Sequence, residues 1–398
     1  MATSRARATT AAVRRLSLTE FRNYAALRLD LDGRPVVLSG ANGAGKTNLL
    51  EAVSFLAPGR GLRRARLAEI SRRALPGNDG PGDAGSGVDA QPWAVAVILE
   101  TGAAKMDIGT GLVATGTGDV GRRIVRIDGA DAPSQSTLGE YLSVAWLTPE
   151  MDRLFSDAAA ARRRFLDRLI YGLDGGHAAR LSDFERAMRE RSRLLRNGGA
   201  PDIAWLSALE HNMAQLGVAI AAARRGYVDR LNAACAVGVG PFPAAGLTLH
   251  SDIGDRLENA PALDVEEQCR VRLAECRRID AEAGRATFGI HRDDLACHHL
   301  ATGSPAGRCS TGEQKALLIS IVLANARLQA LERGAAPLLL LDEVTAHLDG
   351  QRREALFDEI SALGSQAWMT GTEDELFEPL GTRAQRFRVA DATVTPVP

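Results

Sequence analysis

The chain has 398 residues, 45% of them hydrophobic and 24% charged, which is the composition of a globular protein of two or three structural units. Its formal net charge of -1 excludes a globally basic nucleic-acid binder, so affinity for nucleic acid has to come from local patches. Three lysines (Lys46, Lys105, Lys315) stand against 45 arginines, the bias of a GC-rich genome, so arginine-rich stretches weigh little and each lysine weighs more.

Met1 to Ala12 carries Arg5 and Arg7 with no apolar run behind them, so no signal peptide is expected. Residues 14–31 alternate in patches and predict two strands around Phe21-Arg22-Asn23-Tyr24. Val36-Val37-Leu38 reads as a short buried strand entering a Gly-rich turn, and Thr47 to Ala57 as a helix ended by Pro58-Gly59. Residues 76–92 hold five Gly, three Pro and four Asp or Asn and read as a mobile loop. Strands follow at 93–99, 107–114, 122–128 and 143–147.

From about Ser156 the apolar period lengthens. Leu181, Phe184, Met188 and Leu195 fall on one helix, and Leu206, Leu209, Met213, Leu216 and Ile220 on another, with Asn197 to Pro201 as the turn. That is an antiparallel helical hairpin with a narrow apolar seam. A further helix is predicted over 265–283, strands near 286–300 and 337–341, and a helix over 312–332. The apolar runs at 93–99 and 338–341 are far shorter than a membrane span. Five scattered cysteines without a C-x-x-C pair fit a reducing, cytoplasmic location. Cys297-His298-His299 lacks a second ligand pair at zinc spacing and reads as a strand edge or loop.

Three stretches carry chemistry. Gly40-Ala41-Asn42-Gly43-Ala44-Gly45-Lys46-Thr47 matches G-x-x-x-x-G-K-[ST] at every position, between a strand and a helix. Its glycines let backbone N–H groups surround phosphate oxygens. Lys46 supplies a charge for the β- and γ-phosphates, and the Thr47 hydroxyl is a ligand for Mg²⁺. Leu338 to Leu341 run into Asp342 and Glu343. Asp342 is expected to hold Mg²⁺, and Glu343 to orient or deprotonate the attacking water. Ser310-Thr311-Gly312-Glu313-Gln314-Lys315 opens a helix 32 residues before Asp342. Ser310, Gly312, Glu313 and Gln314 form an anion site there, although Ser310 with Glu313 also has the spacing of a capping box. One P-loop already serves one nucleotide, so this second phosphate site is expected to serve the nucleotide of another subunit. Asp349, after the acidic pair, is placed at a subunit interface. Thr370 and Thr372, ending a short strand, are placed within reach of the γ-phosphate.

In this order the elements resemble the ATP-binding-cassette ATPases: P-loop, signature helix, Walker B pair, D-loop and switch. Lys46 and Ser310 are 264 residues apart, too far for a transporter cassette, which also carries a switch His, and too close for arms of SMC or Rad50 length. The remaining branch is the RecF family. Leu18 to Tyr24, Lys46 to Ala52, Gly59-Arg60-Gly61-Leu62-Arg63, Pro149-Glu150, Arg162 to Asp167 and His291-Arg292-Asp293-Asp294-Leu295 each resemble its motifs. Two positions depart from it: Gly61 stands where Ser is usual, and Gly289-Ile290 where Gly-Pro is expected.

The resemblance implies an α/β ABC-type P-loop ATPase head with an inserted α-helical arm. The expected division is an N-terminal lobe at 1–150, the arm at 151–285 and a C-terminal lobe at 286–398. It implies an ATP- and Mg²⁺-dependent homodimer that binds gapped or junction DNA, hydrolyses ATP slowly, and works with RecO and RecR to load RecA. A transporter ATPase subunit is the alternative. Arg60, Arg63 and Arg64, among six arginines in 60–73, are the expected DNA-phosphate contacts, with no pattern of base-reading side chains.

Overall fold

A computed structural model describes residues 11–72, 91–102, 104–113, 122–196 and 202–397. The loop expected over 76–92, apart from Gln91 and Pro92, and the turn 197–201 lie outside the described residues. The chain divides into two units, one from Met1–Pro149 with Gln329–Pro398 and one from Glu150–Leu328.

In chain order the first unit begins with β1 (Ala11–Phe21), β2 (Tyr24–Asp30), β3 (Val36–Ser39), α1 (Lys46–Ser54), β4 (Trp93–Thr101), β5 (Ala104–Val113), β6 (Arg122–Ile127), β7 (Ala130–Asp131), α2 (Leu138–Tyr141) and β8 (Val144–Leu147). The second unit holds α3 (Ala159–Tyr171), α4 (His177–Arg196), α5 (Ile203–Ala236), β9 (Ala245–His250), α6 (Asp252–Arg256), α7 (Ala262–Glu275), α8 (Arg277–Ala283) and β10 (Asp294–His299). Helix α9 (Thr311–Arg333) leads back to the first unit, which ends with β11 (Leu338–Leu341), α10 (Gly350–Leu363), β12 (Ala367–Gly371), β13 (Gln385–Ala390) and β14 (Thr393–Val397).

The first unit contains two six-stranded sheets. One, ordered β2-β1-β4-β5-β6-β7, is antiparallel throughout. Its strand β4 alternates buried and exposed residues, as a sheet with one covered face requires. The other, ordered β14-β13-β3-β12-β11-β8, is parallel apart from the β13–β14 hairpin. Strands β3, β8, β11 and β12 are buried along their whole length, the condition under which unbroken Val and Leu runs are stable. Gln366 joins the sheets: its side chain accepts from Val13 N at 2.8 Å and donates to Val13 O at 3.0 Å, fully buried. Phe21, Phe55 and Trp93 pack edge-to-face or tilted between the antiparallel sheet and the end of α1, with centroids 5.2–6.1 Å apart.

In the second unit α4 and α5 form the helical hairpin. Leu181, Phe184, Met213 and Ile220 are buried in its seam, joined by Val265, Cys269 and Leu273 of α7. Arg191 is fully buried and donates to Glu210 at 3.0 Å, Asp280 at 2.6 Å and Leu273 O at 2.7 Å. The helix predicted over 265–283 is interrupted at Cys276 into α7 and α8. Asp280 of α8 faces inward there, accepting from Arg191 and from Thr287 N and Oγ1.

Of the strand predicted over 286–300, only 294–299 pairs, with β9. Residues before it are tied up by a charged clasp. Arg224 forks onto Asp167 at 2.8 Å on both oxygens and donates to Asp293 at 2.8 Å and Ile290 O at 2.7 Å. Arg162 forks onto Asp294 at 2.8 Å twice, Arg163 donates to Asp293 O at 2.5 Å, and His177 lies 3.0 Å from Asp167. Burial alone would raise the Asp167 pKa, but hydrogen bonds from His177 and Arg224 outweigh it and hold Asp167 below its ordinary value. The second unit ends at Leu328 rather than at 285, because α9 is bonded into it: Gln314 to Ser156, Lys315 to Asp152, and Asn325 to Tyr227. Strands β9, β13 and β14 and helix α10 were not predicted. Cys297 is buried in β10, and no group of three or more His, Cys, Asp or Glu among the described residues is arranged to hold a metal. No helix among the described residues is long and apolar enough to cross a membrane.

Candidate nucleotide site

The loop Gly40–Thr47 connects β3 to α1, and its glycines are required by geometry. Gly40 has φ +148°, and a Cβ there would lie 2.2 Å from Val389 O of β13. Gly45 has φ +111°, and a Cβ would meet Asn23 Nδ2 at 2.5 Å and the Tyr24 hydroxyl at 2.8 Å. Any side chain at either position is excluded twice, by backbone strain and by contact. No side chain caps α1, which leaves the positive end of its dipole open to an anion.

The turn between β1 and β2 buttresses this loop. Asn23 donates to Ala44 O at 3.3 Å, Tyr24 to Gly45 O at 3.2 Å, and Asn48 to Asn23 Oδ1 at 2.7 Å. Arg22 forks onto the buried Glu51 of α1 at 2.6 and 2.8 Å. Arg22, Asn23, Tyr24 and Glu51 are thus part of the site, although the sequence reading assigns them no role there. The pairing of a basic F-R-N-Y turn with the acid of N-L-L-E was the signal available for them.

Lys46 is buried, with Nζ donating to Gly40 O at 2.6 Å and Ala41 O at 2.9 Å. Burial lowers its pKa, while Glu343 and Asp342 act in the opposite sense. Both acids follow β11, and β12 separates that strand from β3. The Thr47 hydroxyl is 3.0 and 3.1 Å from the two Asp342 oxygens. Thr370, at the end of β12, donates to Asp342 Oδ1 at 2.7 Å and accepts from Glu343 N at 2.8 Å. Glu343 has φ +47°. The structure therefore brings together Gly40, Ala41, Asn42, Gly43, Ala44, Gly45, Lys46, Thr47, Asp342, Glu343 and Thr370. Thr372 is exposed and lines a cleft of about 740 Å³ bounded by residues 39–44, 372–375 and 388–391.

Arg123 reaches the far end of α1. It is buried, its pKa is pushed down to about 10 by burial, and it donates to Phe55 O, Gly59 O, Thr110 Oγ1 and Gln135 Oε1 at 2.5–3.0 Å. Its charge faces the negative end of the helix dipole. Arg63 donates to Asn48 Oδ1 at 2.6 Å and lies 3.2 Å from Glu51, so part of its charge is spent within the protein. Arg60 and Arg64 are exposed, Arg64 with φ +57°.

Ser310, Gly312, Glu313 and Gln314 belong to the second unit. Ser310 and Glu313 cap α9 reciprocally: Glu313 N donates to Ser310 Oγ at 3.3 Å, and Ser310 N and Oγ donate to Glu313 Oε2 at 2.9 and 2.8 Å. A Cβ on Gly312 would meet nothing within 4 Å, so the helix start is open there. Gln314 is buried and donates to Cys309 O. Asp349, in the first unit, caps α10 by accepting from Arg352 N at 2.8 Å.

Residues 12–393 match the RecF/RecN/SMC N terminal domain. The DNA replication and repair protein RecF of Mesorhizobium japonicum is 50% identical over 386 residues, covering 96% of this chain and 97% of its own length. The protein of the same name in Rhizobium etli is 50% identical over 383 residues, with the same coverage. The solved structure of the recombination mediator protein RecF-ATPrS in the RecFOR pathway superposes with a TM-score of 0.81. It covers 99% of this chain and 100% of its own, at 20% identity, a likeness of fold.

Proposed function

This chain belongs to the RecF family, and from that premise we propose that it is an ATP-dependent DNA-binding protein of recombinational gap repair and replication. ATP favours a homodimer on gapped or junction DNA, slow hydrolysis releases it, and the protein works in the cytoplasm with RecO and RecR to help load RecA. The observation that carries this is the meeting of the Thr47 hydroxyl with the Asp342 carboxylate beside a loop in which a Cβ at Gly40 or Gly45 would collide with its neighbours. A hydroxyl and a carboxylate within 3.0–3.1 Å of each other are the hard-oxygen donor set that suits Mg²⁺. When bound, Mg²⁺ neutralises charge on phosphate oxygens.

The residues divide the work. Backbone N–H groups of Gly40–Thr47 and the start of α1 bind the phosphates. Lys46, held on loop carbonyls, turns its ammonium to them. Glu343 orients the attacking water and accepts its proton. Ser310, Gly312, Glu313 and Gln314 of one subunit complete the site of the other, with Asp349 at the shared face and Thr372 within reach of the γ-phosphate. Arg60, Arg63 and Arg64 contact DNA phosphates without reading bases. A transporter ATPase subunit has nothing in its favour, since the relatives at 50% identity carry the RecF name.

Mixing two crippled subunits tests the composite site. Ser310→Arg leaves ATP binding to each monomer nearly intact and blocks hydrolysis. Lys46→Met lacks the phosphate charge. Together they can assemble one site with wild-type Lys46 on one side and wild-type Ser310 on the other. Recovery of ATPase activity on mixing is expected. Full activity in Ser310→Arg alone, at concentrations where it stays monomeric, overturns the proposal.

A further inference from the structure

Thr370 lies where β12 ends between the strand that enters the P-loop and the strand that carries the acids. It is fully buried, and both capacities of its hydroxyl are engaged. The Glu343 N–H points at Oγ1 from 2.8 Å and occupies the acceptor side. The single hydroxyl proton is therefore directed at Asp342 Oδ1, 2.7 Å away. Asp342 thus receives two hydroxyls, Thr370 from the end of β12 and Thr47 from the first turn of α1. Glu343, meanwhile, holds a φ of +47°, a left-handed conformation that a non-glycine residue keeps only when its surroundings enforce it.

We propose that Thr370 is a positioning residue for ATP hydrolysis rather than a ligand of the γ-phosphate. One hydroxyl fixes the rotation of the Asp342 carboxylate and pins the backbone of Glu343 in its left-handed turn. The metal-side acid and the water-side acid are thereby set by the same atom. Without that atom the carboxylate loses a donor on Oδ1, and the Glu343 N–H loses its acceptor, so both acids drift together. This rests on the ATPase function proposed above.

The test compares Thr370→Val, which keeps the shape and removes the hydroxyl, with Thr370→Ser, which keeps the hydroxyl. Two quantities are measured: steady-state ATP hydrolysis, and the Mg²⁺ concentration that half-saturates ADP binding by calorimetry. ADP has no γ-phosphate, so the second quantity is blind to any contact there. For Thr370→Val, kcat is expected to fall about 10–100-fold and the Mg²⁺ requirement with ADP to rise about 10-fold. KM for ATP should stay within about twofold of wild type, and Thr370→Ser should restore both quantities. If Thr370→Val does not fold, Thr370→Ala replaces it, with the same expectations.

An unchanged Mg²⁺ requirement with ADP, together with weakened ATP binding, would return the hydroxyl to the γ-phosphate and overturn the proposal. Equal turnover in wild type and Thr370→Val would overturn it as well. A wild-type protein that neither binds nor hydrolyses ATP sinks the ATPase assignment itself, which is a different result from either.

Discussion

Two clusters of charge in this protein look alike in sequence and differ in what their atoms are left to do. In the first unit, Lys46 donates to two loop carbonyls, and the Thr47 hydroxyl meets the Asp342 carboxylate beside a cleft-lining loop. In the second unit, Arg224 is buried and spends its guanidinium on Asp167, Asp293 and Ile290 O. The first cluster is poised to exchange partners and the second is closed. The R-R-x-F-L-D and H-R-D-D-L motifs are therefore the two halves of an internal clasp. A charged motif marks a site only where its partners can be replaced by a ligand.

Substitutions in either cluster test this difference. Glu343→Gln keeps shape and hydrogen bonding but removes the base, so hydrolysis should fall about 10²–10⁴-fold, with ATP binding retained and a longer-lived dimer on DNA. Single-turnover hydrolysis checks this, and a wild-type rate would make Glu343 structural. Lys46→Met should lower turnover about 10²–10³-fold by removing a donor aimed at phosphate. Its thermal unfolding should stay close to wild type, because among the described residues the ammonium hydrogen-bonds to two loop carbonyls and forms no close ion pair.

Arg224→Met should do the reverse. Leaving Asp167 and Asp293 buried without their partner should cost about 3–5 kcal/mol of folding stability, read by chemical denaturation. ATP affinity of the folded fraction should be unchanged. A stable Arg224→Met protein that fails to bind ATP would erase the distinction between the clusters. The smallest effect belongs to Arg60, Arg63 and Arg64. Replacing them by Gln should flatten the dependence of log DNA affinity on log salt by up to about 0.9 per lost phosphate contact. Arg63→Gln should contribute least, since Asn48 and Glu51 already hold that guanidinium.

What could be read in advance follows from the range of the interaction that fixes each feature. The Gly40–Thr47 loop and the Asp342-Glu343 pair were legible because each is contiguous and its chemistry needs fixed spacing. Strands β3 and β11 were legible because full burial leaves unbroken apolar runs. Strand β9 was missed because its Ala245-Gly246 opening carries little side chain, and β13 because Arg386 and Arg388 interrupt it. The break at Cys276 and the irregular 286–293 segment answer to Arg191 and Arg224, whose partners lie up to 89 residues away in the chain. Arg63 reads in the sequence as a DNA-phosphate contact, and nothing local announces its tie to Glu51.

Strand β3, which ends at the phosphate loop, is paired on one side with residues 367–371 and on the other with residues 385–390. The carbonyl of Val389 closes on Gly40 from that second side. A ribosome making this chain from its N-terminus therefore synthesises the loop more than three hundred residues before either neighbour exists. Until those late strands emerge, the nascent chain carries the whole P-loop sequence without the walls that shape it. The candidate nucleotide site thus waits for strands made more than three hundred residues after its loop, and the second unit is synthesised before that site can take shape.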